Sequence, residues 1–262
     1  MLTVSRPIRD LYRVWVDMLE ISVLTRYNDL MSQPPEHRAA LVGDVVASRT
    51  HPDQQRLFSR LVADLEWVND RLPAIQPLQL TVGDEFQGLY QVPEDAVIAS
   101  VLVRLRLAGS LDIRLGIGWG PAIAHDAIDL PSAQSGQAWW NAREALDFVA
   151  ATQVSKRKWP ATLRSWIVGE DRRTTSWILA LLLLQDQILA TMDEKDAAIA
   201  LALFFEERQV DLASEFGISQ STISQRQRER GPSALFRACL VLKPGLDLAG
   251  PEKKARKEKQ EE

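Results

Sequence analysis

The chain has 262 residues, 46% of them hydrophobic and 25% charged, and a formal net charge of −4. That composition excludes disordered, collagen-like and disulfide-stapled proteins and allows one large domain or two modest ones. The single cysteine, Cys239, excludes an intrachain disulfide and a thiol–metal cluster, and three histidines are a poor supply for zinc. The acidic balance leaves only a local basic face for nucleic acid.

The longest apolar run, residues 178–184, is stopped by Gln185 and Asp186, far short of the ~20 residues a membrane helix needs. Asp10, Asp17 and Glu20 interrupt any signal-peptide core, so the expected location is cytoplasmic, with no membrane partner.

Residues 1–37 read as a helical extension, with Leu11, Val14, Trp15, Met18 and Leu19 on one face at helical spacing. Met31 opens a polar, proline-bearing lead-in and is the expected natural start of translation. Strand patterns follow at 39–46, 78–82, 86–91 and 112–119, and helix patterns at 52–70, 94–108 and 136–151. This order, β-α-β-β-α-β-α, is the split-βαβ or ferredoxin-like arrangement. The expected fold is therefore α+β: a ferredoxin-like βαββαβ domain over residues 38–155, then an all-α domain over 156–246. From residue 162 onward the pattern reads as helices only, at 166–189, 194–208, 211–216 and 219–228. Lys156-Arg157-Lys158 forms a basic joint, with no lysine before it, and residues 247–262 form a charged tail expected to be disordered.

Two acidic turns carry the clearest chemistry. Asp44 ends the first strand after Gly43, and Asp84 and Glu85 follow Gly83 in a tight hairpin. The split-βαβ arrangement brings Asp44 and Asp84 to one rim of the sheet. Carboxylates so placed can hold one or two Mg²⁺ or Mn²⁺ ions together with substrate phosphates. Glu85 either faces the other way or serves as a third ligand. Gly43 and Gly83 remove bulk where a phosphate would approach, and Ser48 and Arg49 could cradle phosphate at the start of the helix that opens at Pro52. Arg143, beside Asn141, could clamp phosphate charge, or pair with Glu144 or Asp147. Gly116, Gly118 and Gly120 share a side-chain-free face that admits either a ligand or a helix backbone. Gly-Asp is also a common turn dipeptide, which either aspartate alone would satisfy.

The segments LVGDVVASR, LTVGDEFQG, IRLGIGWG and AWWNAREAL, in that order, resemble the SatD family of bacterial proteins over about residues 38–240. More distantly they are similar to class III nucleotidyl cyclases and the diguanylate cyclase palm. That resemblance implies Asp44 and Asp84 as metal ligands and Arg143 as the phosphate-clamping arginine. It also implies a base-reading lysine where this chain has Leu80, and an asparagine where it has Trp139. The ion-binding half of such a site is retained and the base-reading half is not.

Residues 211–224 have the layout of a helix-turn-helix. Gly217 permits a left-handed turn, Ser219 can cap the second helix, and Ile223 faces inward. Gln220, Ser221, Thr222, Gln225 and Arg226 are then the expected base-edge residues, with Arg228 and Arg230 on phosphates. The expectation is a homodimeric DNA-binding regulator of the SatD type, its palm-like domain sensing a Mg-bound nucleotide or a nucleic-acid 3′ end. The alternative is a metal-dependent nucleotidyl cyclase or nucleotidyltransferase working through Asp44 and Asp84. An anion-binding glycine at Gly118 would serve either.

Overall fold

A computed structural model describes residues 36–48, 53–122, 136–155, 158–246 and 248. The N-terminal extension, Met31, Arg49, Lys156, Arg157 and the charged tail from residue 249 lie outside the described residues. Five strands form one sheet: β1 (Glu36–Val45), β2 (Gln76–Leu80), β3 (Glu85–Tyr90), β4 (Ile113–Ala122) and β5 (Ser165–Gly169), in the order β2-β3-β1-β4-β5. Helices α1 (Gln54–Asn69), α2 (Pro93–Leu107) and α3 (Gln137–Ser155) connect them. Then α4 (Arg172–Thr191), α5 (Glu194–Phe204), α6 (Gln209–Phe216), α7 (Gln220–Glu229) and α8 (Pro232–Leu242) follow β5.

β1 is central because its interior is apolar on both faces; residues 39–43 are buried in succession. Its odd positions, Ala39, Leu41 and Val45, join a large core with Phe86, Tyr90, Leu115, Ile117 and the helices α1 and α2. Its even positions, Ala40 and Val42, pack with Ala138, Trp139, Ala142 and Leu146 of α3. The sheet thus has two covered faces, and the period-two alternation assigns each side chain to one of them. α2 is buried along nearly its whole length, which explains why it is apolar all round rather than striped. Pro93 occupies its first turn, with Glu94 and Asp95 at the positive end and Arg104 and Arg106 at the negative end.

The helices-only reading after residue 162 fails at β5. Ser165–Gly169 pairs parallel to β4, Ile117 opposite Ile167, with α3 as the crossover. Trp166, Ile167 and Val168 carry β-propensity, while the sequence pattern reads them as one helical segment with 172–189. The break between them is Gly169-Glu170-Asp171, where Asp171 caps α4 by accepting from Arg173 N at 2.9 Å. Ile167, Ile178, Leu182, Ala200, Phe204, Leu235 and Cys239 belong to the same core as β1 and α2. The later helices therefore pack onto the sheet-bearing part as one interior. Among the described residues no helix is long and apolar enough to cross a membrane.

Candidate functional site

The antiparallel register brings the acidic turns together. Asp44 stands directly opposite Glu85 on β3 and directly opposite Arg114 on β4. Directly opposed residues share a sheet face, here the one covered by α3. Arg114 donates from Nε and Nη2 to the two Asp44 carboxylate oxygens at 2.8 and 2.7 Å. Arg143, on α3, donates from Nη1 and Nη2 to the two Glu85 oxygens at 2.9 and 2.7 Å. The result is a row of alternating partners, Arg114–Asp44–Glu85–Arg143, at one end of the sheet. Both ion pairs are bidentate, the strongest geometry for guanidinium and carboxylate.

Burial pushes the Asp44 carboxyl up from its ordinary range; Arg114 opposes this, and the Asp84 and Glu85 charges reinforce it. The Glu85 hydrogen bond holds the Arg143 guanidinium more firmly charged than usual. Asp84 sits on the hairpin and makes no hydrogen bond or ion pair with the described residues. It lines a cleft of about 420 Å³ with Ser48, Gln54, Leu57, Phe58, Val82, Gly83 and Glu85.

Several expected roles change. Glu85, expected either to face away or to serve as a third ligand, shares the face of Asp44 and has both oxygens forked by Arg143, as Asp44 has by Arg114. Among the described residues no cluster of three or more His, Cys, Asp or Glu side chains is placed to hold a metal ion. Gly43 does not admit a phosphate: it faces the core, and a Cβ there would lie 2.3 Å from the Phe86 ring. Gly118 does not admit a ligand either, since a Cβ would meet the Ala138 carbonyl oxygen of α3 at 2.0 Å. Helix packing accounts for that glycine face. Gly83 has φ +67° with open space around it, so the hairpin turn accounts for it. Ser48 lines the cleft, while the start of α1 is already capped by Asp53, which accepts from Arg56 N at 2.9 Å. Asn141 is buried and ties α3 to β4 by donating to the Trp119 carbonyl at 3.0 Å. Trp139 is core, and Trp140 beside it is exposed.

Arg114 is the residue that sequence reasoning missed. Its signal was its parity: it shares a strand face with Gly116 and Gly118, where an arginine needs an acidic partner.

The second candidate surface is the α6–α7 pair. Gly217 ends α6 in the left-handed region at φ 62°, and Ser219 Oγ accepts from Thr222 N at 3.1 Å to cap α7. Leu212, Ala213 and Ile223 pack between the two helices and α5. Gln220, Ser221, Gln225 and Arg228 are exposed, and Thr222 is half-buried. Gln220 donates to Gln209 Oε1 at 2.7 Å and Gln225 to Glu229 Oε2 at 3.1 Å. Arg228 pairs with none of the described residues.

Arg226 is not an outward reader. It pairs with Asp193 and, at 2.9 Å, with the fully buried Asp196, while Arg230 Nε donates to Asp196 Oδ2 at 2.8 Å. These two aspartates also form the capping box of α5. The four charges therefore lock α7 to the start of α5. Partial burial alone would push the Asp193 carboxyl up, but its bonds from Arg226 and the Asp196 N–H outweigh that and hold it down to about 2. A depressed carboxyl stabilises the fold above its unfolded-state pKa and loses that contribution as pH falls through the folded value. The α5–α7 corner is therefore expected to loosen between pH ~4 and about 2. Hydrogen exchange of α7 amides should show this step in the native protein and a smaller one in Asp193→Asn; equal steps would refute the lock.

The SatD family profile matches residues 38–239, well over half of the chain. The chain belongs to the SatD family. No curated protein matches this SatD-family chain. Among solved structures it is similar to the catalytic core of a rhodopsin-guanylyl cyclase with converted specificity, in complex with ATPαS, at 20% identity over 44% of this chain and 73% of that one, with a TM-score of 0.36. The guanylyl cyclase domain of a RhoGC fusion protein from the aquatic fungus Blastocladiella emersonii, described as a non-canonical dimer, matches at 20% identity over 44% and 75%, TM-score 0.36. A regulator of polyketide synthase expression from Bifidobacterium adolescentis matches at 13% identity over 84% and 85%, TM-score 0.29.

Proposed function

We propose that this SatD-family protein is a DNA-binding transcriptional regulator whose sheet rim senses a Mg-bound nucleotide or nucleic-acid end. The observation that carries the reading is the α6–α7 pair. Its left-handed Gly217 turn, Ser219 cap and inward Ile223 support reading it as a helix-turn-helix. They present Ser221, Gln225 and Arg228 on one exposed row of α7, with Gln220 exposed at its first position. Glutamine suits adenine edges, and Arg228, near the end of the helix, suits a phosphate.

A single such module binds weakly, so the reading includes a homodimer on a two-fold symmetric site. The exposed stripe of Trp177, Ala180 and Leu184 on α4 supports self-association. At the sheet rim, Asp44 and Asp84 are two hard oxygen donors, the usual protein share of a Mg²⁺ or Mn²⁺ site whose other ligands are phosphates and water. The guanidinium already forked onto Asp44 supports the fit of a cation there. When bound, the ion would neutralise phosphate charge, while Arg143 and Ser48 would hold the ligand beside the cleft.

Selection of duplexes from a random pool by the full-length protein tests the DNA reading. A palindromic consensus is expected. Arg228→Ala should then weaken binding to all sequences alike and reduce the slope of log affinity against log salt by about 0.9. No enrichment, and no affinity for duplex DNA, would overturn it.

The enzymatic alternative has one observation in its favour, the Asp84 carboxylate in the cleft, which has no ion-pair partner among the described residues. Incubation with each nucleoside triphosphate and Mg²⁺ or Mn²⁺ decides: pyrophosphate release abolished by Asp84→Asn would place it first.

A further inference from the structure

Three glutamine amides are linked between α6 and α7. Gln220, the first residue of α7, donates from Nε2 to Gln209 Oε1 at 2.7 Å. Gln209, the first residue of α6, donates in turn from Nε2 to Gln227 Oε1 at 2.6 Å. The chain of amides runs from the start of α7, through the start of α6, to the last turn of α7. Gln209 and Gln227 are half-buried, whereas Gln220 is exposed. The helix pair is already held by Leu212, Ala213 and Ile223, and its turn is set by Gly217 and Ser219. What the amides add is a fixed orientation for one exposed side chain.

A glutamine amide carries two N–H donors and one carbonyl oxygen. Gln209 takes one N–H of Gln220. The other N–H and Oε1 have no partner among the described residues, and they stand side by side as a donor and an acceptor. That pair matches the N7 acceptor and N6 donor that adenine presents in the major groove. The neighbouring polar groups are engaged elsewhere. Ser219 Oγ is hydrogen-bonded to the Ser221 and Thr222 hydroxyls at 2.7 and 2.8 Å, and Gln225 donates to Glu229. We infer that Gln209 is a positioning residue for sequence specificity: it holds the Gln220 amide edge on to an adenine, and Gln227 holds Gln209. This rests on the DNA-binding reading of α6 and α7, and adds to it a base and the residue that sets the preference for it.

A free, exposed glutamine samples many rotamers, and ordering it on a base costs about two- to tenfold in affinity. Gln209 orders it in advance. The gain is confined to sites that offer adenine, because at the other bases Gln220 finds no matching pair and its order brings no bond. Gln209 therefore acts on discrimination between bases rather than on general attraction to DNA, which comes from phosphate contacts.

The test selects duplexes from a random-sequence pool with the full-length protein, then measures affinity for the selected duplex and its single-base replacements at each position. The readout is the ratio of affinities, adenine against the other bases, which an unfolded fraction of the protein leaves unchanged. Gln220→Ala identifies the position by abolishing a preference for adenine of at least about fivefold. Gln209→Leu is expected to reduce the ratio at that same position, and at no other, about two- to tenfold. Gln209→Glu keeps an acceptor oxygen for Gln220, so its ratio should hold, even though the added charge weakens binding to every duplex. A ratio unchanged or raised in Gln209→Leu would overturn the positioning role, as would an equal fall in Gln209→Glu or a fall shared by all positions. If Gln220→Ala leaves every ratio unchanged, Gln220 reads no base, and this inference alone is lost. If the native protein selects no sequence and binds no duplex, the DNA-binding reading itself is lost and the inference with it.

Discussion

Asp186→Ala is expected to lower the stability of the protein by about 3–5 kcal/mol, the cost of leaving a buried charge without its partner. The Asp186 side chain is 1% exposed and lies between β5 and α2. It pairs with Arg104 and accepts from Arg164 N at 2.7 Å, Ser165 N at 2.8 Å and Ser165 Oγ at 3.0 Å. Burial raises its carboxyl pKa despite these partners, so the site bears a desolvation cost that the bonds offset. Without the carboxylate, the Arg104 guanidinium and two backbone N–H groups are all unsatisfied in the interior. Ser165→Ala removes a single hydroxyl donor and should cost only about 1 kcal/mol. Urea denaturation of the two variants measures the difference. An Asp186→Ala loss no larger than that of Ser165→Ala would show that β5 does not depend on this carboxylate.

Gly118→Ala is expected to be nearly as damaging, at about 3 kcal/mol, the upper end of ordinary overpacking in a core. The added methyl would lie 2.0 Å from the Ala138 carbonyl oxygen and 2.3 Å from the Ala142 nitrogen. Both are backbone atoms of α3 and cannot turn aside, so the helix must lift from the sheet. Gly120→Ala is the matched control two residues along the same face. Its nearest neighbours would be 3.4 Å away, and the change should cost under about 1 kcal/mol. Thermal and urea unfolding of both variants decide the point. If Gly118→Ala is tolerated as well as Gly120→Ala, the face is open, and its assignment to helix packing is wrong.

The sheet's first four strands and three helices were legible from local patterns: a short apolar run in β1, Gly83 between two short strands, apolar 3.6-residue spacing in α1, and Pro93 and the acidic first turn in α2. β5 was not, since five residues, Ser165–Gly169, are too few to establish an alternation, and the apolar pattern runs on into α4. Topology predicts Asp44 and Asp84 at one rim, and the register then puts Glu85, not Asp84, directly opposite Asp44. What each carboxylate touches does not follow from topology, because the partners lie 70 and 58 positions away in sequence. Parity could have placed Arg114 on the rim, since it shares the face of Gly116. It could equally have turned Gly43 inward, where Phe86 needs the space. On α7, the helix-turn-helix layout places Arg226 outward, whereas the structure turns it toward Asp193 and Asp196. A buried acidic pair on a preceding helix leaves no local mark on the sequence of the helix it holds.

The central position of β1 also sets a timetable for synthesis. β1, the first of the described strands to leave the ribosome, needs partners on both edges, and the second of those, β4, is complete only at Ala122. β5, which borders β4, comes more than forty residues later. Until then a run of buried apolar residues has no closed sheet to enter. Such long-range pairing slows folding and exposes a nascent chain to aggregation. For this fold, the demand on chaperones falls on the interval between the two ends of the sheet.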